Sequence, residues 1–462
     1  MSSDSDIKRK KFKFKKPVYN DIMNIAWPVL IELVLSSVFG MIDMMMLGNI
    51  PDAGYAASAV ASVGVTNQPL LLGLAVVQAL NVGGTAIVAR YYGAGKKHKM
   101  ENVTKHVMII SMVFAVPIAL FGFLFAEQIM AFMGAEAATI EIGKNYFRVI
   151  CISYLFQSYN FGITGALRGI GETKVPMGIN IRTNFLNVLG NAILIYGLLG
   201  LPKLGIVGAA ISTAFANFVA SVLMTRYLMS GKSELDFSFK NKFNFSKRTI
   251  GNLIRIGFPS AIEQLVMRVG IIMFVQVVSG LGTVIFAAHQ IGMNILSLTF
   301  VIGQAFGISA SSLVGKSLGA ESPDDAEKYA HHSSLLGSWA GFGLGVALFF
   351  GAEFLVSLYS RDPAIVESAS SALRMVAIIQ PFQANQLIVA GSLRGAGDTR
   401  FPLISTFIGV LGIRVVLANV FIRVFALGLT GAWLAIIIDQ FVRWVLIQFR
   451  FRSGKWKNIE FV

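Results

Sequence analysis

Long apolar segments alternate with short polar ones along the whole chain. Twelve apolar segments are present, and each is more than twenty residues long. A helix of about 20 apolar residues crosses the hydrocarbon core of a bilayer and satisfies its own backbone hydrogen bonds there. The pattern therefore predicts an all-α integral membrane protein with transmembrane helices at 21–48, 57–90, 104–126, 139–165, 174–198, 203–229, 250–278, 284–315, 328–357, 365–391, 400–424 and 428–450.

The second half of the chain repeats motifs of the first half in the same order. The segment LRGIGETKVP, which begins at Leu167, recurs as LRGAGDTRFP from Leu393. Pro28 of the first helix recurs as Pro259 of the seventh. Six helices in each half is an even number, so both halves have the same orientation in the membrane. We predict two six-helix lobes related by pseudo-two-fold symmetry, in the order basic cytoplasmic N-terminus 1–16, N-lobe 17–229, cytoplasmic linker 230–247, C-lobe 248–451 and cytoplasmic tail 452–462.

Charge is scarce and unevenly placed. Charged residues make up 14% of the chain, hydrophobic residues 55%, and the net charge is +15. The basic clusters lie between or beyond the apolar segments, which predicts a multi-pass protein of the inner (cytoplasmic) membrane with both termini cytoplasmic. No basic domain separates from the apolar segments, so a nucleic-acid partner is not expected. The expected partner of the apolar segments is the lipid bilayer.

Signatures of enzymes are missing from the sequence. It contains no phosphate-binding Gly-rich loop, no His-Glu-x-x-His motif and no Gly-x-Ser-x-Gly motif. Cys151 is the one cysteine, so neither a disulfide framework nor a cysteine metal cluster can form. We therefore expect a protein that is not an enzyme and has no cofactor.

Ionisable side chains inside apolar segments mark candidate functional positions, because a charge in the membrane faces either a cavity or a partner. Asp43 lies near the end of the first predicted helix, between apolar residues. Burial disfavours the ionised form of such a carboxyl, so that it exchanges a proton or a sodium ion more readily. The alternative is a carboxylate exposed to the outer headgroups. Coupling of transport to a cation is the favoured interpretation.

The fifth predicted helix carries four asparagines on one face. Asn180, Asn184, Asn187 and Asn191 are separated by four, three and four residues, the spacing of a helical stripe. The stripe predicts either a polar cavity or hydrogen bonds to a neighbouring helix. A cavity is favoured, because contacts between two helices seldom need four amides.

The second half has its own polar positions. Glu263 and Arg268 lie in the seventh predicted helix, Gln290 and Asn294 in the eighth, and Asp439 in the twelfth. They are candidates for a substrate cavity. Structural ion pairs, for example between Arg268 and Asp439, are an equally good interpretation.

The repeated Leu-Arg-Gly-x-Gly motif indicates a structural role rather than a role in binding or transport. Its glycines permit tight turns on the cytoplasmic side. We expect its arginines, Arg168 and Arg394, to anchor to headgroups or helix ends.

The motifs together resemble the multidrug and toxic compound extrusion (MATE) family of bacterial antiporters. The resemblance rests on Pro28, Asp43 and Gly48 of the first helix, on the doubled Leu-Arg-Gly-x-Gly motif, and on the segments 281–290 and 450–456. It implies twelve helices in two lobes around a central cleft. It also implies exchange of small amphipathic, often cationic organic compounds for sodium ions or protons, by a protein that we expect to be a monomer.

The resemblance also assigns roles to residues. The family's first-helix coupling acid falls on Asp43, its fifth-helix polar positions on Asn187 and Asn191, and a further position on Thr213. A sodium site at Asp43, Asn187 and Asn191 is implied if sodium is the coupling ion. Some members have a second acid on the fifth helix, where this chain has asparagine, so the choice between proton and sodium stays open.

Two other functions compete with antiport. A lipid-linked oligosaccharide flippase would need a strongly cationic central cavity, and Arg268 and Arg414 are candidates for it. Asp43 and the asparagine stripe count against that function. A membrane-embedded enzyme or a channel is disfavoured, because no catalytic cluster or filter-like motif is present.

Overall fold

A computed structural model describes residues 18–460, and within that range the chain is helical and contains no β-strand. The predicted N-terminus 1–16 and the last two residues of the predicted tail lie outside the described residues. The first half forms α1 (Val18–Gly48), α2 (Ala53–Gly93), α3 (Lys97–Leu124), α4 (Ala137–Ile170), α5 (Lys174–Tyr196) and α6 (Gly205–Met229). The second half forms α7 (Lys247–Ser279), α8 (Thr283–Gly319), α9 (Pro323–Ser357), α10 (Pro363–Ala377 and Gln380–Gly395), α11 (Arg400–Arg423) and α12 (Gly428–Arg452).

All twelve helices lie where the apolar pattern predicts them. Within residues 18–460, nine are long and apolar enough to cross a membrane on length and composition alone. The other three are α4, α5 and α10. Helix α5 carries the asparagine stripe, and α10 is interrupted. Their polar side chains therefore need protein partners or a cavity rather than lipid.

Two helices depart from a simple span. Helix α10 breaks at Ile378–Ile379, directly before Gln380 and Pro381. Proline lacks the backbone N–H and disfavours a helical residue before it, which accounts for the interruption. The middle of α11, Phe407–Val415, is wound as a π-helix. Such segments are rare and are frequently found at functional sites. Neither feature, nor the short helix Ala126–Phe132, was predicted from the sequence.

Each half of the chain has its own core. In the first half, α3, α4 and α6 bring together Val107, Ile163 and Met224. In the second half, α8 and α12 bring together Leu296 and Trp433 with residues of α9 and α10. Packing of this kind buries the apolar faces that lipid does not cover, and the first of these cores also includes Leu253 and Ile256 of α7.

The lobes meet toward one end, which we call the basic side because the segments 96–105, 240–255 and 450–457, rich in Lys and Arg, lie there. There Ser309 and Ser312 of α8 donate hydrogen bonds of 3.0 Å to the carbonyls of Ile22 and Gly169 in the first lobe. Toward the other end of α8, Gln290 and Asn294 are exposed. The contacts of Ser309 and Ser312 close the structure on the basic side.

The C-terminal segment crosses between the lobes on the basic side. Trp456 is fully buried in the second lobe and stacks on Phe451 with ring centroids 5.2 Å apart. Three residues later, Ile459 packs against the core of the first lobe, and its carbonyl accepts a hydrogen bond of 2.8 Å from Arg90. The segment thus adds to the contact that closes this side.

The linker between the lobes is held against α3. Glu101 accepts hydrogen bonds from the backbone N–H of Ser238 at 3.1 Å and from the Asn241 amide. Lys105 donates to the carbonyls of both linker residues, at 2.8 Å and 2.9 Å. Residues 230–246 thus join α6 to α7 without a long helix, while remaining fixed to the first lobe.

Two repeat-related glycines let α2 and α8 touch backbone to backbone at the closed end. A Cβ at Gly319 would lie 2.0 Å from the carbonyl oxygen of Arg90, and one at Gly93 would lie 1.9 Å from that of Lys316. Gly319→Ala should therefore force the helix ends apart by roughly 1–2 Å, the distance needed to restore van der Waals contact. We expect the variant to populate a state that is more open on the basic side.

Distances between spin labels at Ala94 and Asp324, introduced as cysteines after Cys151→Ala, would measure this opening. Both label positions are exposed and lie in different lobes on the basic side. Gly64→Ala in α2 is the matched control, because a Cβ there meets nothing within 4 Å. An unchanged distance distribution for Gly319→Ala would contradict the close packing as the cause of closure.

Candidate functional site

Asp43 lies in the wall of an internal cavity of the first lobe. The cavity has a volume of about 370 Å³ and is enclosed by α1, α2, α4, α5 and α6. Asn191 of α5 donates a hydrogen bond of 2.7 Å to Asp43 Oδ1. The carboxylate is half-buried and points toward protein side chains rather than lipid.

Asn187 lies one helical turn from Asn191 and is the second amide at this carboxylate. Its hydrogen-bond network is satisfied when its Nδ2 faces Asp43, at 3.0 Å from Oδ2 and 3.2 Å from Oδ1. Its Oδ1 then lies 3.1 Å from Thr213 Oγ1 on α6. Asp43, Asn187, Asn191 and Thr213 therefore form one cluster, which we call the Asp43 cluster.

The Asp43 cluster offers ligands suited to a small hard cation. Besides the two amide nitrogens that face Asp43, it holds carboxylate, amide and hydroxyl oxygens, the ligand type that hard cations prefer. Asn191 Oδ1 is buried and has no hydrogen-bond partner, so an acceptor beside the carboxylate is free for a cation or a proton donor. Among residues 18–460 no group of three His, Cys, Asp or Glu side chains gathers as a transition-metal site would require.

The other two asparagines of the stripe face a second cavity. Asn180 and Asn184 line a cavity of about 590 Å³ between the lobes, which also receives side chains from α8 and α10. Gln157 and Asn217 line both this cavity and the one at Asp43. The two cavities are therefore neighbours separated by amide side chains, and the stripe serves both.

Two repeat-related ion pairs flank the cavity between the lobes. Arg168 lies 3.1 Å from Glu32, and Arg394 lies 2.6 Å from Glu263. The prediction that the motif arginines anchor to headgroups or helix ends is wrong, because each one reaches the acid of the first helix in its own lobe. Each acid also accepts a second hydrogen bond, from Asn180 in one lobe and from Thr406 in the other.

The buried charges of the second lobe form a network around Asp439. This residue is fully buried between Arg414 and Arg443, whose Nε atoms lie 2.9 Å from its two carboxylate oxygens. The suggested pairing of Arg268 with Asp439 is wrong, since Arg268 is exposed on α7 and the two arginines occupy both carboxylate oxygens. The π-helical segment carries Arg414 into this position.

The remaining candidates of the second lobe are not gathered into one cavity. Glu263 is buried behind Arg394, which lines the cavity between the lobes. Gln290 and Asn294 are exposed on α8 toward its open end. The walls of the cavity at Asp43 and of the cavity between the lobes contain none of Glu263, Arg268, Gln290, Asn294 and Asp439.

Three important residues were missed from the sequence. Arg443 stands four residues after Asp439 on one helix, a spacing that predicts an ion pair and would have identified it. Gln157 and Asn217, which lie between the two cavities, are single polar residues in apolar helices. Nothing in their spacing distinguishes them from residues that bond to a neighbouring helix.

Two similar lobes of membrane-spanning helices, closed together at one end around a polar cavity, define a multi-pass membrane transporter. The family model MatE matches residues 28–193 and 259–420, one segment in each lobe. The chain therefore belongs to the multidrug and toxic compound extrusion family. This result confirms the family and the twelve-helix, two-lobe fold predicted from the sequence.

Relatives match over almost the whole chain. A Thermotoga maritima protein named "Probable multidrug resistance protein NorM" is 30% identical over 96% of this chain and 94% of its own length. The "Uncharacterized transporter YisQ" of Bacillus subtilis is 28% identical over 97% of each chain. The "Multidrug resistance protein NorM" of Vibrio cholerae is 29% identical over 92% of this chain and 93% of its own length.

Solved structures share the fold. One is described as the outward-facing conformation of a multidrug resistance MATE family transporter of the MOP superfamily. It superposes with a TM-score of 0.86 at 22% identity, over 98% of this chain and 100% of its own. A second, described as MATE in the bent conformation, superposes with a TM-score of 0.87 at 22% identity, over 95% of this chain and 97% of its own.

Proposed function

We propose that this protein is a secondary active antiporter that exports small amphipathic, often cationic organic compounds in exchange for protons or sodium ions. The observation that carries the proposal is the Asp43 cluster, in which two amides hold a half-buried carboxylate in a first-lobe cavity that adjoins the cavity between the lobes. The relatives named as multidrug resistance proteins support the class of substrate.

Asp43 is the proposed coupling residue. Without a bound cation its negative charge is stabilised by N–H donors from Asn187 and Asn191. A proton or sodium ion neutralises that charge, so the hydrogen bonds from the two amides lose their charge assistance and the contacts between α1 and α5 weaken. The membrane potential supplies about 2.3 kcal/mol per charge per 100 mV to a cation that moves inward.

Alternating access is the proposed transport cycle. In this cycle the basic side is the cytoplasmic one, in line with the positive-inside rule, and we propose that both termini are cytoplasmic and that the protein lies in the cytoplasmic (inner) membrane. The structure, closed on that side, is then outward-facing. Pro28 lies inside α1 and leaves this helix a place to bend between Asp43 and the basic side. We propose that a single chain carries out the cycle.

The cavity between the lobes favours an antiporter over a flippase for lipid-linked oligosaccharides. A pyrophosphate headgroup would need unpaired cations, but Arg168 and Arg394 in the cavity wall are each paired with a glutamate. Arg414 is likewise bound to Asp439. Amide side chains dominate the polar lining, which suits hydrogen bonding to varied organic compounds.

A transport assay in liposomes tests the proposal. Purified protein would be reconstituted, and release of a fluorescent organic cation would be followed under a proton gradient, a sodium gradient or neither. We expect release to accelerate under at least one gradient, which also identifies the coupling ion. Suppose that neither gradient accelerates the release of any of several organic cations, and that the protein moves a fluorescent lipid-linked oligosaccharide between the two leaflets. These two results together would contradict the antiporter and support the flippase.

A further inference from the structure

A groove at the basic end of the second lobe has the chemistry of a phospholipid site. It lies between α7 and α11 and has a volume of about 590 Å³. Its walls are apolar except for two guanidinium groups, those of Arg255 on α7 and Arg400 on α11. The apolar part includes Ile254, Phe258, Leu403 and Ile404.

A second cavity of about 340 Å³ adjoins this groove and has a different character. Arg255, Arg400 and Ile404 line both spaces, so the two arginines stand where the spaces meet. Asp398 and Arg450 also line the second cavity. The combined space therefore has an apolar chamber, a polar chamber and two cations between them.

The two arginines lack carboxylate partners among residues 18–460. Asp398, the acid in the polar chamber, is only 5% exposed and is bound to Arg450 at 2.6 Å. Among residues 18–460, Arg255 donates only to a main-chain carbonyl, that of Glu460 at 3.3 Å, and neither arginine has an acid within 4.0 Å. Both are exposed at the surface. Within the described part of the chain, a positive charge is therefore left uncompensated at the junction.

The depth of the groove matches that of a lipid at the membrane surface. Exposed apolar residues run along α7 from Ile254 through Phe258 to Leu265 and Val269, which is the face that meets acyl chains. Arg255 lies at the beginning of this apolar face, and Arg400 is the first residue of α11. The apolar chamber thus lies at the level of acyl chains and the two arginines at that of headgroups.

We propose that the groove between α7 and α11 binds an anionic phospholipid, with its phosphate between Arg255 and Arg400 and one acyl chain against Ile254, Phe258 and Leu403. Guanidinium groups bind phosphate oxygens with paired, charge-assisted hydrogen bonds. A zwitterionic phospholipid would bring a cationic group with its phosphate and leave the charge of the two arginines uncompensated. Anionic headgroups are therefore preferred, as for other basic pockets between membrane helices.

The site belongs to the second lobe alone. The repeat-related positions of the first lobe are Asn24 and Lys174, so the pair of arginines is not reproduced there. The lipid would join α7 to α11 beside the C-terminal segment, whose Ile459 also lines the polar chamber. Its binding does not depend on the proposed antiport.

Native mass spectrometry of the delipidated full-length protein, titrated with phosphatidylglycerol or phosphatidylcholine, tests the proposal. We expect tighter binding of phosphatidylglycerol to the wild type, and roughly tenfold weaker binding in each of Arg255→Gln and Arg400→Gln, as for loss of a charge-assisted hydrogen bond. Arg452→Gln is the matched control, because Arg452 is exposed on the same side but lines neither chamber. It should bind like the wild type.

A second variant tests the apolar chamber independently of charge. Ile404→Trp would fill the space for the acyl chain while keeping both arginines, and should also weaken phosphatidylglycerol binding. Equal binding of the two lipids, or equal loss in Arg452→Gln and Arg400→Gln, would overturn the proposal. Full competition by inorganic phosphate would overturn it too, since the site would then serve a soluble anion.

Discussion

Asp43→Asn is expected to abolish acceleration of substrate release by an imposed cation gradient. Asparagine has nearly the same shape as aspartate and keeps a hydrogen bond to Asn191 possible, but it cannot carry the charge that a proton or sodium ion neutralises. Release should fall to the rate measured without a gradient. The measurement is efflux of a fluorescent organic cation from liposomes, with and without the gradient that drives the wild type.

Asp52→Asn is the matched control for that experiment. Asp52 caps α2 by accepting a hydrogen bond of 3.0 Å from the backbone N–H of Tyr55, and asparagine caps helices as well as aspartate does. It lies near Asp43 in sequence but is exposed, so it should respond to the gradient like the wild type. An Asp43→Asn variant that also responds like the wild type would contradict the coupling role.

The second lobe offers no equivalent of Asp43. The repeat-related position is Phe274, which is buried with its ring centroid 5.5 Å from that of His289. The buried acids of that lobe, Glu263, Asp398 and Asp439, are each engaged by an arginine at short range. Asp43 of the first lobe, held by amides and not by an arginine, is therefore the acid on which we base the proposed coupling.

Asp439→Asn should destabilise the protein strongly. It would leave Arg414 and Arg443 buried without a counter-charge, and breaking a buried ion pair from one side costs about 3–5 kcal/mol. The expected result is a large fall in the apparent midpoint of thermal unfolding. Fluorescence-detected size exclusion after heating in detergent would measure it, at one heating rate because such unfolding is irreversible.

Arg443→Gln provides the comparison for this prediction. It would leave the pair of Arg414 with Asp439 neutral overall, and glutamine can still donate a hydrogen bond. Its midpoint should therefore fall by much less than that of Asp439→Asn. Equal midpoints for Asp439→Asn and the wild type would contradict a structural role for the buried network.

The positions of the helices could be predicted because the bilayer sets them. A span must be apolar over a fixed length, so the ends of α5 and α11 fell within two residues of their predicted ends. The break in α10 and the π-helical segment of α11 depend on local backbone geometry within apolar runs. The hydropathy pattern therefore predicts neither the break nor the π-helical segment.

The sequence shows on which face of a helix the polar residues lie. It does not show as readily which residues they contact. The stripe from Asn180 to Asn191 was recognised as one face, but it extends about 16 Å along the helix axis. Its ends therefore reach different surroundings, Glu32 at one end and Asp43 at the other. Periodicity identifies a face of a helix, whereas the neighbours of that face follow from how the helices pack.

The central claim is that a cation neutralises Asp43 during transport, and charge movement tests it most directly. Proteoliposomes adsorbed on a solid-supported membrane would receive a jump in pH or in sodium concentration without substrate, and the transient current would be recorded. We predict a transient for the wild type and for Asp52→Asn, and none above the protein-free background for Asp43→Asn. A transient of wild-type size in Asp43→Asn would contradict the claim.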